Sequence, residues 1–209
     1  MLKRAESIDD YSCTLIKRER ISGKLSNRQY IHIKIRHRPF SVYLKFLAPN
    51  NVKGREAVWV EWKNNGKLLT KDTGFRSLLG TIPLEPKGYV AMQGNLHPIT
   101  EIGIRNLAHK LIMTTRREAK ISDVKVTFRR GAKVGNQTCT CIRFDHSVPR
   151  RGLRYRMARI FVDNHLALPI RFEGYAWPKV RGGLPILVEE YTYTNLKLNN
   201  GFTDRDFFL

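Results

Sequence analysis

The densest chemical feature of the chain is the stretch 149–159, PRRGLRYRMAR, which carries Arg150, Arg151, Arg154, Arg156 and Arg159. Guanidinium forks bind phosphate or carboxylate through paired hydrogen bonds, so such a cluster suits an anionic partner. A solvated basic loop screened by salt needs no ligand, and this is the blander reading of the same residues. Cys139-x-Cys141 with His146 lacks a fourth ligand and the spacing of a zinc site, so no metal is expected. No G-x-S-x-G, H-E-x-x-H, P-loop or G-x-G-x-x-G occurs. Asp145-His146 and Glu189-Glu190 are sequence neighbours. Neighbours on a strand point to opposite faces, so neither pair converges on one substrate. The residues therefore predict no catalytic site, no enzyme and no cofactor.

Charge narrows the partner. Lys and Arg number 38 against 18 Asp and Glu, a formal net charge of +20 and a pI near 10.3. Half of that excess lies in residues 116–160, with 13 basic and 3 acidic side chains. Such a balance favours anionic partners such as lipid head groups, polysaccharide or nucleic acid, and does not specify a fold. No run of about 18 apolar residues is present to span a bilayer. No charged-then-apolar leader is visible, and Met1 lies close to the first strand, as expected of a chain whose leader lies upstream. Cys13, Cys139 and Cys141 read as small buried hydrophobes, a bridge from Cys13 being open only if its strand neighbours theirs.

The elements that must position these residues are mostly strands. Ile31, Ile33 and Ile35 alternate with His32, Lys34 and Arg36. Val42, Leu44 and Phe46 alternate in the next run. A period of two marks half-buried strands. The reading gives strands over 11–20, 30–36, 41–47, 57–62 and 67–70, with Asn64-Asn65-Gly66 as a hairpin turn. Two more follow at 124–130 and 137–145, then a meander of three ending at 187–198. Asp163-Asn164 breaks one strand and Pro169 opens the next. Residues 1–10 read as the remnant of a helix and 71–98 as an irregular loop. Residues 99–119 read as a helix opened by Thr100, with Ile104, Leu107, Ala108, Leu111 and Ile112 on one stripe. Nothing alternates βαβ. The fold class is mainly β: one domain over 1–209, a large curled antiparallel sheet or incomplete barrel of eight to ten strands, with a helix against its concave face.

Strings along the chain carry a resemblance. YSCTLIKRERISGKL, GAKVGNQTCTCIRFDH, ARIFVDNHLALPIRFEGYAWP and LVEEYTYTNLKLNNGFTDRDF resemble a bacterial domain family of unknown function over nearly the whole chain. In layout the chain is distantly similar to the periplasmic lipoprotein carriers and receptors of the LolA/LolB type. That resemblance implies an incomplete barrel around a helix, an apolar cavity for acyl chains, and a place in the periplasm or cell envelope. The expected role is non-enzymatic carriage of a lipid, acyl chain or lipoprotein. Ile31, Ile33, Ile35, Val42, Leu44 and Phe46 would supply cavity wall, with Ile104, Leu107 and Leu111 as plug. Arg150, Arg151, Arg154, Arg156 and Arg159 would face an anionic membrane. The alternative is a polyanion- or nucleic-acid-binding module built on the same arginines.

Overall fold

In a computed structural model of the protein, residues 1–74, 78, 80–180 and 182–209 are described. Among the described residues, twelve strands form one antiparallel sheet that curls without closing. They are β1 (Asp10–Ile21), β2 (Lys24–Leu25), β3 (Gln29–His37), β4 (Phe40–Ala48), β5 (Glu56–Val60), β6 (Leu68–Lys71), β7 (Thr81–Leu84), β8 (Val124–Val134), β9 (Gln137–His146), β10 (Met157–Asp163), β11 (Pro169–Ala176) and β12 (Ile186–Leu198). The order is β7-β6-β5-β4-β3-β1-β12-β11-β10-β9-β8, and the short β2 hangs on β1. Two meanders, one from each half of the chain, are joined by the β1–β12 pair, in which Leu15 opposes Tyr193 and Glu19 opposes Glu189.

Three α-helices are present among the described residues: α1 (Leu2–Glu6), α2 (Tyr89–Met92) and α3 (Ile104–Glu118). The expected helix opening at Thr100 starts four residues later. Ile99–Glu101 is a separate 3-10 turn, and Gly103 at φ 119° breaks continuity before Ile104. The stretch expected to be irregular holds β7 and α2, and its positions 75–77 and 79 lie outside the described residues. Of these, β7 together with β2 brings the strand total above the expected eight to ten. Pro83 and Pro86 and too few residues for periodicity hid them.

Meander connections alternate between the two ends of the sheet. One end holds the Asp10 end of β1, His37, Phe40, Val60, Asp163, Pro169 and Leu198. The other holds Ile21, Gln29, Ala48, Glu56, His146, Met157, Ala176 and Ile186. Asp163 shapes a turn at the first end, its Oδ1 accepting from the N–H groups of His165 and Leu166 at 2.8 and 2.9 Å. Asp10 ties the C-terminal tail down by accepting from the N–H groups of Gly201 and Phe202, both at 3.0 Å. The tail then folds over the convex face. Phe207 packs on Val58 and Val60, Asp204 pairs with Arg36 at 2.8 Å and Asp206 with Lys34 at 3.2 Å.

The cysteines are free and buried. β1, which bears Cys13, is separated from β9, which bears Cys139 and Cys141, by β12, β11 and β10, so no bridge can form.

Candidate ligand-binding site

The concave face has a filled half and a hollow half. At the filled end α3 enters tightly: the Ile104 N–H donates to the Tyr11 hydroxyl at 2.8 Å, and a Cβ on Gly103 would lie 3.0 Å from Ile35 Cδ1. Ile33, Ile35 and Val42 have no solvent exposure there, and Ile104 has 1%. Toward the other end a cavity of about 650 Å³ opens between α3, the α2 region and the sheet. Its apolar wall includes Leu15, Ile31, Leu44, Phe46, Ile160 and Phe172 from the sheet and Leu107 and Leu111 from α3. Of the nine residues expected to line a cavity, Ile31, Leu44, Phe46, Leu107 and Leu111 border it. Ile33, Ile35, Val42 and Ile104 do not; they lie in the filled half.

One wall is polar. Glu19 and Glu189, cross-strand partners, are each 2% exposed and border the cavity. Glu19 pairs with Lys17 at 3.1 Å and accepts the Leu96 N–H at 3.0 Å. Glu189 lies 2.7 Å from His97 Nε2, 3.4 Å from an Arg154 nitrogen and against the Tyr155 hydroxyl. The Tyr191 hydroxyl sits between the carboxylates, against Glu19 and 2.8 Å from Glu189. Lys110 Nζ approaches His97 Nδ1 at 2.9 Å. An ammonium only donates, so Nδ1 accepts and Nε2–H points at Glu189. Burial opposes ionisation of Glu189, but the hydrogen bond from His97, the charge of Arg154 and the Tyr191 hydroxyl outweigh it and hold the carboxyl below its ordinary value. Burial, with the two carboxylates beside it, pushes the Tyr191 phenol far up, so it remains a donor. Two carboxylates against Lys17 and Arg154 leave a near-neutral, hydrogen-bonded patch inside an apolar bowl.

Sequence reasoning missed this patch. It rightly set Glu189 and Glu190 on opposite faces: Glu190 lies on the convex side, 2.9 Å from Arg171. The missed partner was across the strands. The available signal was Lys17 and Glu19 continuing the face of Leu15, and Glu189 and Tyr191 continuing the face of Tyr193, polar residues where the alternation demands apolar ones.

The five arginines do not form one surface. Arg159 pairs with Glu173 at 2.6 Å and Arg156 with Asp145 at 3.2 Å on the convex side, whereas Arg154 borders the cavity. Arg150 and Arg151 are exposed, with no ion pair among the described residues. Asp145 and His146 diverge, Asp145 to Arg143 at 2.6 Å and His146 to Glu118 at 3.3 Å. No group of three or more His, Cys, Asp or Glu among the described residues is placed to hold a metal ion. No helix is long and apolar enough to cross a membrane among those residues.

The model of the DUF1571 family, proteins of unknown function, matches residues 8–208. The chain belongs to the DUF1571 family. No curated protein matches the chain. Among solved structures it is similar to the lipoprotein LppX of Mycobacterium tuberculosis, with a TM-score of 0.53, 9% identity, and coverage of 97% of this chain and 92% of that one. An uncharacterized conserved protein from Thermus thermophilus gives a TM-score of 0.51 at 10% identity, covering 99% and 89%. A LolA superfamily protein from Nitrosomonas europaea gives 0.42 at 12% identity, covering 100% and 96%. At these identities the likeness to LppX and to the Thermus protein is one of fold.

Proposed function

We propose that this protein is a non-enzymatic binding or carrier protein that holds the acyl chain of a lipid or lipoprotein in the hollow half of its bowl, in the bacterial cell envelope. The observation that carries the reading is the cavity: about 650 Å³, walled by Leu15, Ile31, Leu44, Phe46, Leu107 and Leu111. That volume falls in the range of roughly 300–1,000 Å³ typical of small-molecule sites. Each buried methylene contributes ~0.8 kcal/mol, so about ten give ~8 kcal/mol before ordering costs, the scale of a micromolar Kd. The polar patch supports the same reading. Glu19 and Glu189 are engaged by protein donors, so they require no cation or substrate to be satisfied. The shared fold of the lipoprotein LppX adds support at the level of architecture. Incubation of the purified protein with a bacterial lipid extract, followed by native mass spectrometry, tests it. A bound mass of one amphiphile, absent from a Leu111→Trp variant that melts normally, is expected. Protein that stays ligand-free over the whole extract would contradict it.

A further inference from the structure

The two ends of the sheet differ in what their connections expose. Among the described residues, the hollow end holds the segments 22–28, 49–55, 147–156, 177–180 and 182–185. None of these contains an Asp or Glu; the acids that reach the same end are Asp72, after β6, which Arg55 holds at 3.2 Å, and Asp123, before β8. Lys24, Lys53, Arg150, Arg151 and Lys179 are exposed there and make no ion pair among the described residues. The connections that bear Arg150, Arg151 and Lys179 also carry aliphatic side chains that face water: Leu184 is 87% exposed, Val180 69% and Val148 47%. At the filled end the charges are mixed and cross-linked, as where Lys63 and Arg36 share Asp204.

Exposed aliphatic tips among unpaired cations call for a partner that offers hydrocarbon and negative charge together. From this juxtaposition we infer that the rim at the hollow end docks on an anionic phospholipid bilayer, with Val180, Leu184 and Val148 entering the interface and Lys53, Arg150, Arg151 and Lys179 meeting phosphates. Nucleic acid fits less well, because bases stack on aromatic faces and these tips are aliphatic. The inference corrects the reading that all five arginines face a membrane: Arg156 and Arg159 are held by convex-face carboxylates and Arg154 by Glu189. It also sets the bilayer at the end of the bowl where the cavity lies. Docking does not depend on cargo, so it can stand or fall apart from the proposed function.

Co-sedimentation with vesicles of phosphatidylglycerol and phosphatidylcholine in equal parts tests it, beside pure phosphatidylcholine vesicles and a DNA duplex. Binding to the anionic vesicles alone is expected, fading as salt rises from about 0.1 M to about 1 M and the Debye length falls from ~10 to ~3 Å. Arg150→Ser with Arg151→Ser should lower partitioning about 25-fold, roughly fivefold per charge. Val180→Ser with Leu184→Ser should lower it at least tenfold, while Trp62→Ser, at the filled end, should leave it unchanged. A Leu111→Trp variant should dock normally while losing a fluorescent fatty acid, which separates the rim from the cavity. Absence of wild-type binding would overturn the inference. So would rim variants that bind like wild type, equal loss in Trp62→Ser, or saturable DNA binding in place of vesicle binding.

Discussion

The filled and hollow halves of the bowl are built from the same strands with the same alternation, yet one is solid and the other holds a cavity. Ile31, Ile33 and Ile35 share one face of β3, and only Ile31 borders the cavity. The difference comes from α3. Gly103 lets the helix enter in contact with Tyr11 and Ile35, and its later turns leave about 650 Å³ between Leu107, Leu111 and the sheet. A strand's periodicity states which side is apolar. A third element decides whether that side is filled.

The contrast can be broken by truncation at each end. Ile35→Ala should cost about 2–5 kcal/mol, because it opens a void in close packing. Ile31→Ala, which enlarges an existing space, should cost about 1–2 kcal/mol. Urea unfolding of both variants compares them, and equal losses would mean that the two halves are packed alike.

A smaller effect is expected from the polar wall. Glu189→Gln should destabilise by about 1–3 kcal/mol at neutral pH, since it weakens charge-assisted hydrogen bonds from His97, Arg154 and the tyrosines. The folded carboxyl titrates below its ordinary value of 4.5, so its contribution is full above about that pH and is lost as pH falls through the lower, folded value. The gap between wild type and variant in thermal unfolding should therefore be constant near neutrality and shrink in acid. A gap that widens in acid would reverse the assigned direction.

The smallest effect belongs to the convex face. Arg159→Ser removes a part-exposed pair with Glu173 and should change stability by about 0–1 kcal/mol. A loss of several kcal/mol in the same unfolding assay would show that this outer network supports the bowl.

Most of the fold was legible because half-buried strands announce themselves by alternation. The runs around Ile31–Ile35, Val42–Phe46 and Ile160–Val162 fall where expected, as do the Asp163 turn and Pro169 at the start of β11. β7 and α2, four residues each, were too short to carry a period. The site was half legible. Apolar positions could be named, but register across strands is set by long-range pairing, so the meeting of Glu19 with Glu189 left only the trace of polar residues on an apolar face. The arginine cluster misled in the other direction. Its members are close in sequence but scatter over the rim, the cavity edge and the convex face, because Met157 starts a strand and Arg159 alternates outward.

The central claim, that the hollow half is a binding cavity for an acyl chain, is tested most directly by titrating the protein with a fluorescent fatty acid. Wild type should show saturable binding at micromolar concentration, and Leu107→Trp and Leu111→Trp, each verified as folded by thermal unfolding, should lose it at least tenfold. Wild type that fails to bind at micromolar concentration, or filled-cavity variants that bind as tightly as wild type, would contradict the account.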